Sequence, residues 1–189
     1  MGDRGSNRLV LNVIAGLLGT GVAAATNSYE SIATATPSGV SSFSFTSIPS
    51  TYKHLQVRYI SRNTSAALYV LLRFNSDTGA NYATHTLEGT GTAATAGAYP
   101  SDTQMYMPRN ATTSPFFAAG IIDILDYANT NKNKTVRGLG GYDQNGTGQR
   151  VDFNSGLWTN TAAINTLNFS VSSGSYATDS HFALYGIKG

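Results

Sequence analysis

Apolar side chains follow two regimes along this chain. Residues 9–25, "LVLNVIAGLLGTGVAAA", form a continuous apolar run behind the polar stretch "MGDRGSNR". From Tyr29 onward apolar and polar positions alternate instead. A period of two marks strands with one face buried. It predicts strands in "SYESIATAT" and "VSSFSF", separated by the turn residues Pro37-Ser38-Gly39, and in "HLQVRYISR", where Leu55, Val57 and Tyr59 oppose Gln56, Arg58 and Ile60. "LYVLLRF" reads as a strand buried on both faces and ended by the turn "NSDTG". Further strands are expected in "YATHTLEG", "TQMYMPR", "FFAAGIIDILDY", "KTVRGLGGYD", "RVDFNSGLW", "INTLNFSVS" and "HFALYGIKG". Asn145-Gly146 in "DQNGTG" is a hairpin signal between two of them. "IIDILDYAN" fits helix and strand equally well on periodicity alone. About ten or eleven short strands at this spacing predict an all-β fold, a jelly-roll-like β-sandwich over residues 27–189.

The opening run fits four patterns. As a membrane span it is short and interrupted by Asn12, Thr20 and glycines. As a secretory leader it has Arg4 and Arg8 before the apolar core and Ala23-Ala24-Ala25 after it, but the expectation is that the segment is retained. Gly19-Thr20-Gly21-Val22-Ala23-Ala24 matches G-x-G-x-x-A, yet the strand-like sequence behind it lacks the crossover helix of a dinucleotide fold. The fourth pattern is an assembly arm, in which burying Leu9, Val10, Leu11, Val13, Ile14, Leu17, Leu18 and Val22 returns less than ordering the backbone costs, so that the arm needs a partner. Residues 1–26 are therefore expected to be an N-terminal anchoring arm. Leu9, Leu11, Val13, Ile14, Leu17 and Leu18 would make the apolar grip, with Arg4 and Arg8 meeting acidic groups or carbonyls.

Composition sharpens the β reading. Only 12 % of the 189 residues are charged, and Ser, Thr, Asn, Gly and Tyr take their place, which favours strands and turns. The twelve Lys and Arg side chains are scattered and the net charge is +2, so no phosphate-tracking stripe exists and nucleic acid is not an expected partner. With no cysteine, disulfides and thiolate metal sites are excluded.

Candidate chemistry is thin. His54, His85 and His181 fall on three predicted strands without ligand-like spacing, and Asp123 and Asp126, three apart, would point to opposite faces of a strand. Asn75, Asp77 and Gly79 make an oxygen-rich turn that reads as an Asx turn, since the closing Glu of a calcium loop is absent. No nucleophile elbow, H-E-x-x-H or P-loop is present. The expectation is a non-enzyme with no cofactor, no metal and no catalytic residues. Eleven tyrosines leave a sugar-binding face as a rival use of the fold.

The stretches "SYESIATATPSGVSSFSFTSIPSTYKHLQVRYISR", "LLRFNSDTGANYATHTL", "IIDILDYANTNKNKTVRGLGGYD", "SGLWTNTAAINTLNFS" and "FALYGIKG" resemble, in order and wording, a family of small virion structural proteins of tailed bacteriophages, cyanophages included. The resemblance covers residues 28–189 and leaves the arm outside it. It implies a particle component assembled in the host cytoplasm and located in the virion, with no catalytic residues to carry over. The major capsid protein or another virion protein is then the expected partner of the arm. Jelly-roll modules on particles commonly form trimers, so a homo-oligomer, with a trimer favoured, is expected by analogy of fold. The expected role is a capsid decoration (cement) protein or head fibre; the alternative is a tail-associated receptor- or carbohydrate-binding module.

Overall fold

The computed structural model describes residues 28–66, 68–146 and 148–189. The arm, with Arg4, Arg8, Leu9, Leu11, Val13, Ile14, Leu17 and Leu18, lies outside the described residues. Every regular element among the described residues is a strand, including the ambiguous "IIDIL" segment. In chain order they are β1 (Tyr29–Ala35), β2 (Ser42–Phe45), β3 (His54–Ser61), β4 (Tyr69–Phe74), β5 (Tyr82–Gly89), β6 (Ala94–Asp102), β7 (Met105–Arg109), β8 (Ala118–Leu125), β9 (Lys134–Tyr142), β10 (Arg150–Trp158), β11 (Leu167–Ser170) and β12 (His181–Ile187).

The strands form two antiparallel sheets. The large one has eight strands in the order β1-β12-β3-β8-β9-β10-β5-β6, and the small one has four in the order β2-β11-β4-β7. The chain is thus a β-sandwich, with its strands divided eight and four rather than the four and four of an eight-stranded jelly roll. The β9–β10 hairpin pairs Tyr142 with Arg150, and Asn145 and Gly146 both take positive φ in its loop, as the Asn-Gly signal requires. In β4, Val70, Leu71 and Leu72 are all buried, as their unbroken apolar run predicts.

One strand, β6, lacks a sequence signal. "ATAGAYPSD" has neither alternation nor β-branched density, and Pro100 argues against a central strand. The structure resolves the conflict by placing β6 at the edge of the large sheet, where a missing N–H leaves no broken ladder.

The core divides unequally. Between the small sheet and the β12-β3-β8 half of the large one lie Leu55, Val57, Tyr59, Ile122, Ile124, Phe182 and Leu184, facing Phe45, Leu72 and Phe169. Aromatic rings interlock there: Tyr59 stacks on Phe182 at 5.1 Å, and Phe43 packs on Phe169 at 5.3 Å. Toward the other half, β7 lies directly against β10, β9 and β5. It approaches closely because glycines of the large sheet lie beneath it: a Cβ on Gly138 or Gly140 would meet Pro108 at 2.6 Å, and one on Gly156 would meet the Met105 sulfur at 2.6 Å.

In that half the binary pattern is turned over. On β10 the inward positions are Asp152, Asn154 and Gly156, while Val151, Phe153 and Leu157 point outward. The neighbouring strands follow, with Thr84, Thr86 and Glu88 inward on β5 and Gly138 and Gly140 inward on β9. The cause is the edge of β7, which has no strand beside it. Its main chain is satisfied by side chains of the large sheet instead: Thr84 Oγ1 accepts from Tyr106 N (3.2 Å), Asn154 Nδ2 donates to Tyr106 O (3.0 Å), Tyr59 OH donates to Pro108 O (2.7 Å) and Asp152 Oδ2 accepts from Arg109 N (2.9 Å). A buried strand edge needs such partners, so polar residues occupy the inner positions. The period of two then fixes which residues are left outside.

Candidate interaction surface

The outer face of the large sheet follows from this inversion. Cross-strand register places Ile121, Leu139, Phe153 and Leu87 in one row across β8, β9, β10 and β5, ending at Ala96 on β6. The adjacent row runs Ile60, Ala119, Gly141, Val151, Gly89 and Ala94. Exposure is high for such residues: 61 % for Val151, 54 % for both Leu139 and Leu87, and 44 % for Phe153. Isolated exposed apolar side chains are ordinary, but contiguous ones on neighbouring strands form a patch of the kind that marks contact with another molecule. Val151 stands between Gly141 and Gly89, so a projecting side chain alternates with two shallow depressions in its row.

A polar ribbon borders the patch. Arg58 Nε donates to Gln56 Oε1 (2.8 Å), Gln56 Nε2 donates to Asp123 Oδ1 (2.8 Å) and Arg137 donates to Asp123 Oδ2 (2.9 Å). The Arg58 guanidinium also lies over the rings of Tyr29 and Tyr185, at 5.7 and 5.6 Å. The ribbon carries both signs of charge, locked in register across β3, β8 and β9.

Beneath the patch, charge is buried. Arg109 donates to Glu88 (2.5 Å) and to Tyr69 OH (2.7 Å), its guanidinium lies 4.4 Å from the Tyr69 ring centre, and Arg150 donates to the other Glu88 oxygen (2.6 Å). Tyr69 OH also donates to Glu88. Burial pushes Glu88 up, but the hydrogen bonds from Arg109 and Tyr69 outweigh it and hold the carboxyl below its ordinary range. Asp152 goes the other way: desolvation raises it, and the Arg109 N–H and charge offset only part of that. Both acids bond the β7 edge or its arginine, so the cluster joins the two sheets.

The remaining residues singled out in the sequence are dispersed. His54, His85 and His181 sit on β3, β5 and β12, and no group of His, Asp and Glu suited to a metal occurs among the described residues. His54 Nδ1 accepts from Asp126 N at 3.0 Å. Asp123 is on the outer face of β8, whereas Asp126 lies past the strand's end at positive φ. There Lys132 and Lys53 hold its carboxyl down to about 2. Asp77 forms the expected turn: it accepts from Gly79 N (2.8 Å), Asn81 Nδ2 (2.9 Å) and Trp158 Nε1 (2.8 Å), so its oxygens are taken by donors. Among the tyrosines only Tyr29 is exposed. No helix of the described residues is long and apolar enough to cross a membrane.

The apolar face is the feature that sequence reasoning missed. Its signal was present in "RVDFNSGLW", where Asp152, Asn154 and Gly156 share one parity and Val151, Phe153 and Leu157 the other. Alternation announces a strand without saying which parity faces the core. No known protein family, no curated protein and no solved structure matches the chain.

Proposed function

We propose that this chain is a structural component of a tailed-phage particle, a capsid decoration (cement) protein or head fibre. Its β-sandwich assembles as a homo-oligomer, for which a trimer is the expectation, and residues 1–26 attach it to the major capsid protein. The observation that carries an assembly role is the outer face of the large sheet: broad, apolar and bordered by ion-paired polar residues. Such a face suits another protein surface rather than a small molecule, which needs a concave site with converging polar groups. The resemblance of residues 28–189 to virion structural proteins supplies the kind of assembly.

The test is the number of copies per purified particle, measured against the major capsid protein. Hundreds of copies in simple ratio to capsid subunits are expected for a decoration protein. Copies in the tens or fewer would move the chain to a vertex or the tail, and absence from particles would overturn the reading.

One feature favours the tail-associated alternative. The outer face of the small sheet carries a shallow groove lined by Ser44, Arg73, Ser76, Thr78 and Asn168, whose hydroxyl and amide groups suit sugar hydroxyls. Asn168 already bonds Ser44 Oγ and Ser76 N, and the two phenylalanines at the groove, Phe43 and Phe169, stack on each other against the core. A glycan screen with the full chain discriminates: binding lost on Arg73→Ala would favour the tail module.

A further inference from the structure

We infer that the outer face of the large sheet is a self-association surface, and that its occupant is the same face of a second copy of this chain. This deepens the assembly reading and rests on it only for the setting, not for the contact.

The shape argues for a second sheet. The apolar rows cross the six strands from β3 to β6, which at about 4.8 Å spacing and about 3.4 Å rise over seven residues give a projected footprint of roughly 24 by 20 Å, near 500 Å² before side-chain relief is counted. That is more than half of the about 800 Å² each partner contributes to a standard-sized interface. Two such faces stack at about 10 Å, the separation at which side chains of facing sheets interdigitate. The relief is self-complementary: with a shift of one strand, Val151 of one copy seats above Gly141 or Gly89 of the other, and Ile121, Leu139, Phe153 and Leu87 close around it. A contact of this kind is isologous, so every projecting group must find its complement on an identical surface.

Charge argues the same way. The ribbon of Arg58, Asp123 and Arg137 presents both signs beside the patch. With Val151 over Gly141 the two-fold axis runs along the strands between β9 and β10, so the ribbon lies over β10, β5 and β6 of the other copy, with Arg137 above Ser155 and Asp123 above His85 and no like charges opposed. The chain's own apolar segment 9–25 contains no charged residue and offers nothing to that ribbon. With a net charge of only +2 on 189 residues, two copies approach without appreciable repulsion.

Light scattering and sedimentation of the full chain over roughly 1–100 µM, the range of a moderate association, test the inference. The expected mass is an even multiple of 19.9 kDa, two copies for the isologous pair alone, and an odd-numbered assembly overturns the inference. Leu139→Lys and Phe153→Lys, made separately, each place two buried ammonium groups in the contact and are expected to weaken association by about 100-fold or more. Thr46→Lys, at an exposed position just after β2 in the small sheet, leaves the mass unchanged. Near-ultraviolet circular dichroism, dominated by buried Trp158, reports whether each variant is folded; Leu139→Ser and Phe153→Ser replace any that is not. A monomer throughout the range overturns the inference, as does a multimer indifferent to all four face substitutions. A monomer that is nonetheless abundant in particles would remove the self-contact and keep the particle role; a face-dependent multimer absent from particles would do the reverse.

Discussion

Arg109 and Asp152 join the two sheets through the main chain as well as through charge: the Arg109 N–H donates to Asp152 Oδ2 at 2.9 Å, and its guanidinium Nε lies 3.7 Å from Oδ1. Arg109 closes the unpaired edge of β7, and Asp152 sits where an alternating strand would ordinarily place an apolar residue. The same guanidinium then reaches Glu88 and Tyr69. Replacing Arg109 by Met keeps the aliphatic stem but leaves two buried carboxylates without their central counter-charge. It is expected to cost about 3–5 kcal/mol in urea unfolding, with the m-value unchanged. Arg109→Lys should recover little, because one ammonium cannot bridge Glu88 and stack on Tyr69 at once.

The two acids of this cluster give the fold an asymmetric response to acid. Glu88 is held low in the folded state, so its contribution is fully present above the unfolded Glu range of about 4.3 and is lost as pH falls through the folded value. Asp152 is raised; the stability linked to its protonated form is present at low pH and lost as pH rises through its folded value. Glu88→Gln is therefore expected to lower stability at neutral pH and to flatten the acid limb, whereas Asp152→Asn leaves that limb in place. Urea titrations between neutral pH and about pH 3 read both slopes.

Lys134 is fully buried at the start of β9, with its ammonium surrounded by carbonyls: it donates to Asn129 O (2.5 Å), Lys132 O (3.0 Å) and Thr161 O (2.9 Å). Desolvation lowers its pKa, with the Lys132 charge adding to the effect. Lys134→Met strips the donor from three carbonyls, each worth about 1–3 kcal/mol when left unsatisfied in a buried site. A loss of about 3 kcal/mol or more is expected. Hydrogen exchange should localise it to residues 159–166, where the Ile164 N–H that donates to Tyr127 O would lose protection first.

Two glycines on the same sheet should behave oppositely. A Cβ on Gly140 would meet the Ala119 carbonyl at 2.8 Å and Pro108 at 2.6 Å, both of them rigid, while one on Gly89 meets nothing within 4 Å. Gly140→Ala is expected to destabilise by about 1–3 kcal/mol through overpacking. Gly89→Ala should be neutral or slightly stabilising by restricting the unfolded chain. Thermal melts of the two variants side by side check the contrast.

Strand positions were legible wherever side-chain chemistry alternates, and the hairpin at Asn145-Gly146 was legible from its backbone demands. The sandwich followed from the spacing of these signals. β6 was not legible because an edge strand is held by its pairing with β5 rather than by its own propensity. The orientation of β10 was hidden for a different reason. Burying Asp152 and Asn154 makes sense only once β7 lies across them with an unpaired edge, a contact more than forty residues away in sequence. Lys134, in the polar run "NKNKT", looks solvated until Thr161 closes over it. The apolar outer face is the complement of these buried polar groups, so what hid one hid the other.

The pairing of β1 with β12 has a mechanical consequence. Lys188 N donates to Ser28 O at 3.1 Å, Tyr29 lies opposite Ile187, and Glu30 is bonded to both Lys188 and Tyr52. Tension applied between residues 28 and 189 would open this ladder like a zipper, one pair at a time from its terminal end. Tension on residue 28 resisted by the broad face of the sheet would instead load the ladder in shear, with all its pairs sharing the force. A tether at residue 28 is therefore strong or weak according to where the opposing grip is placed.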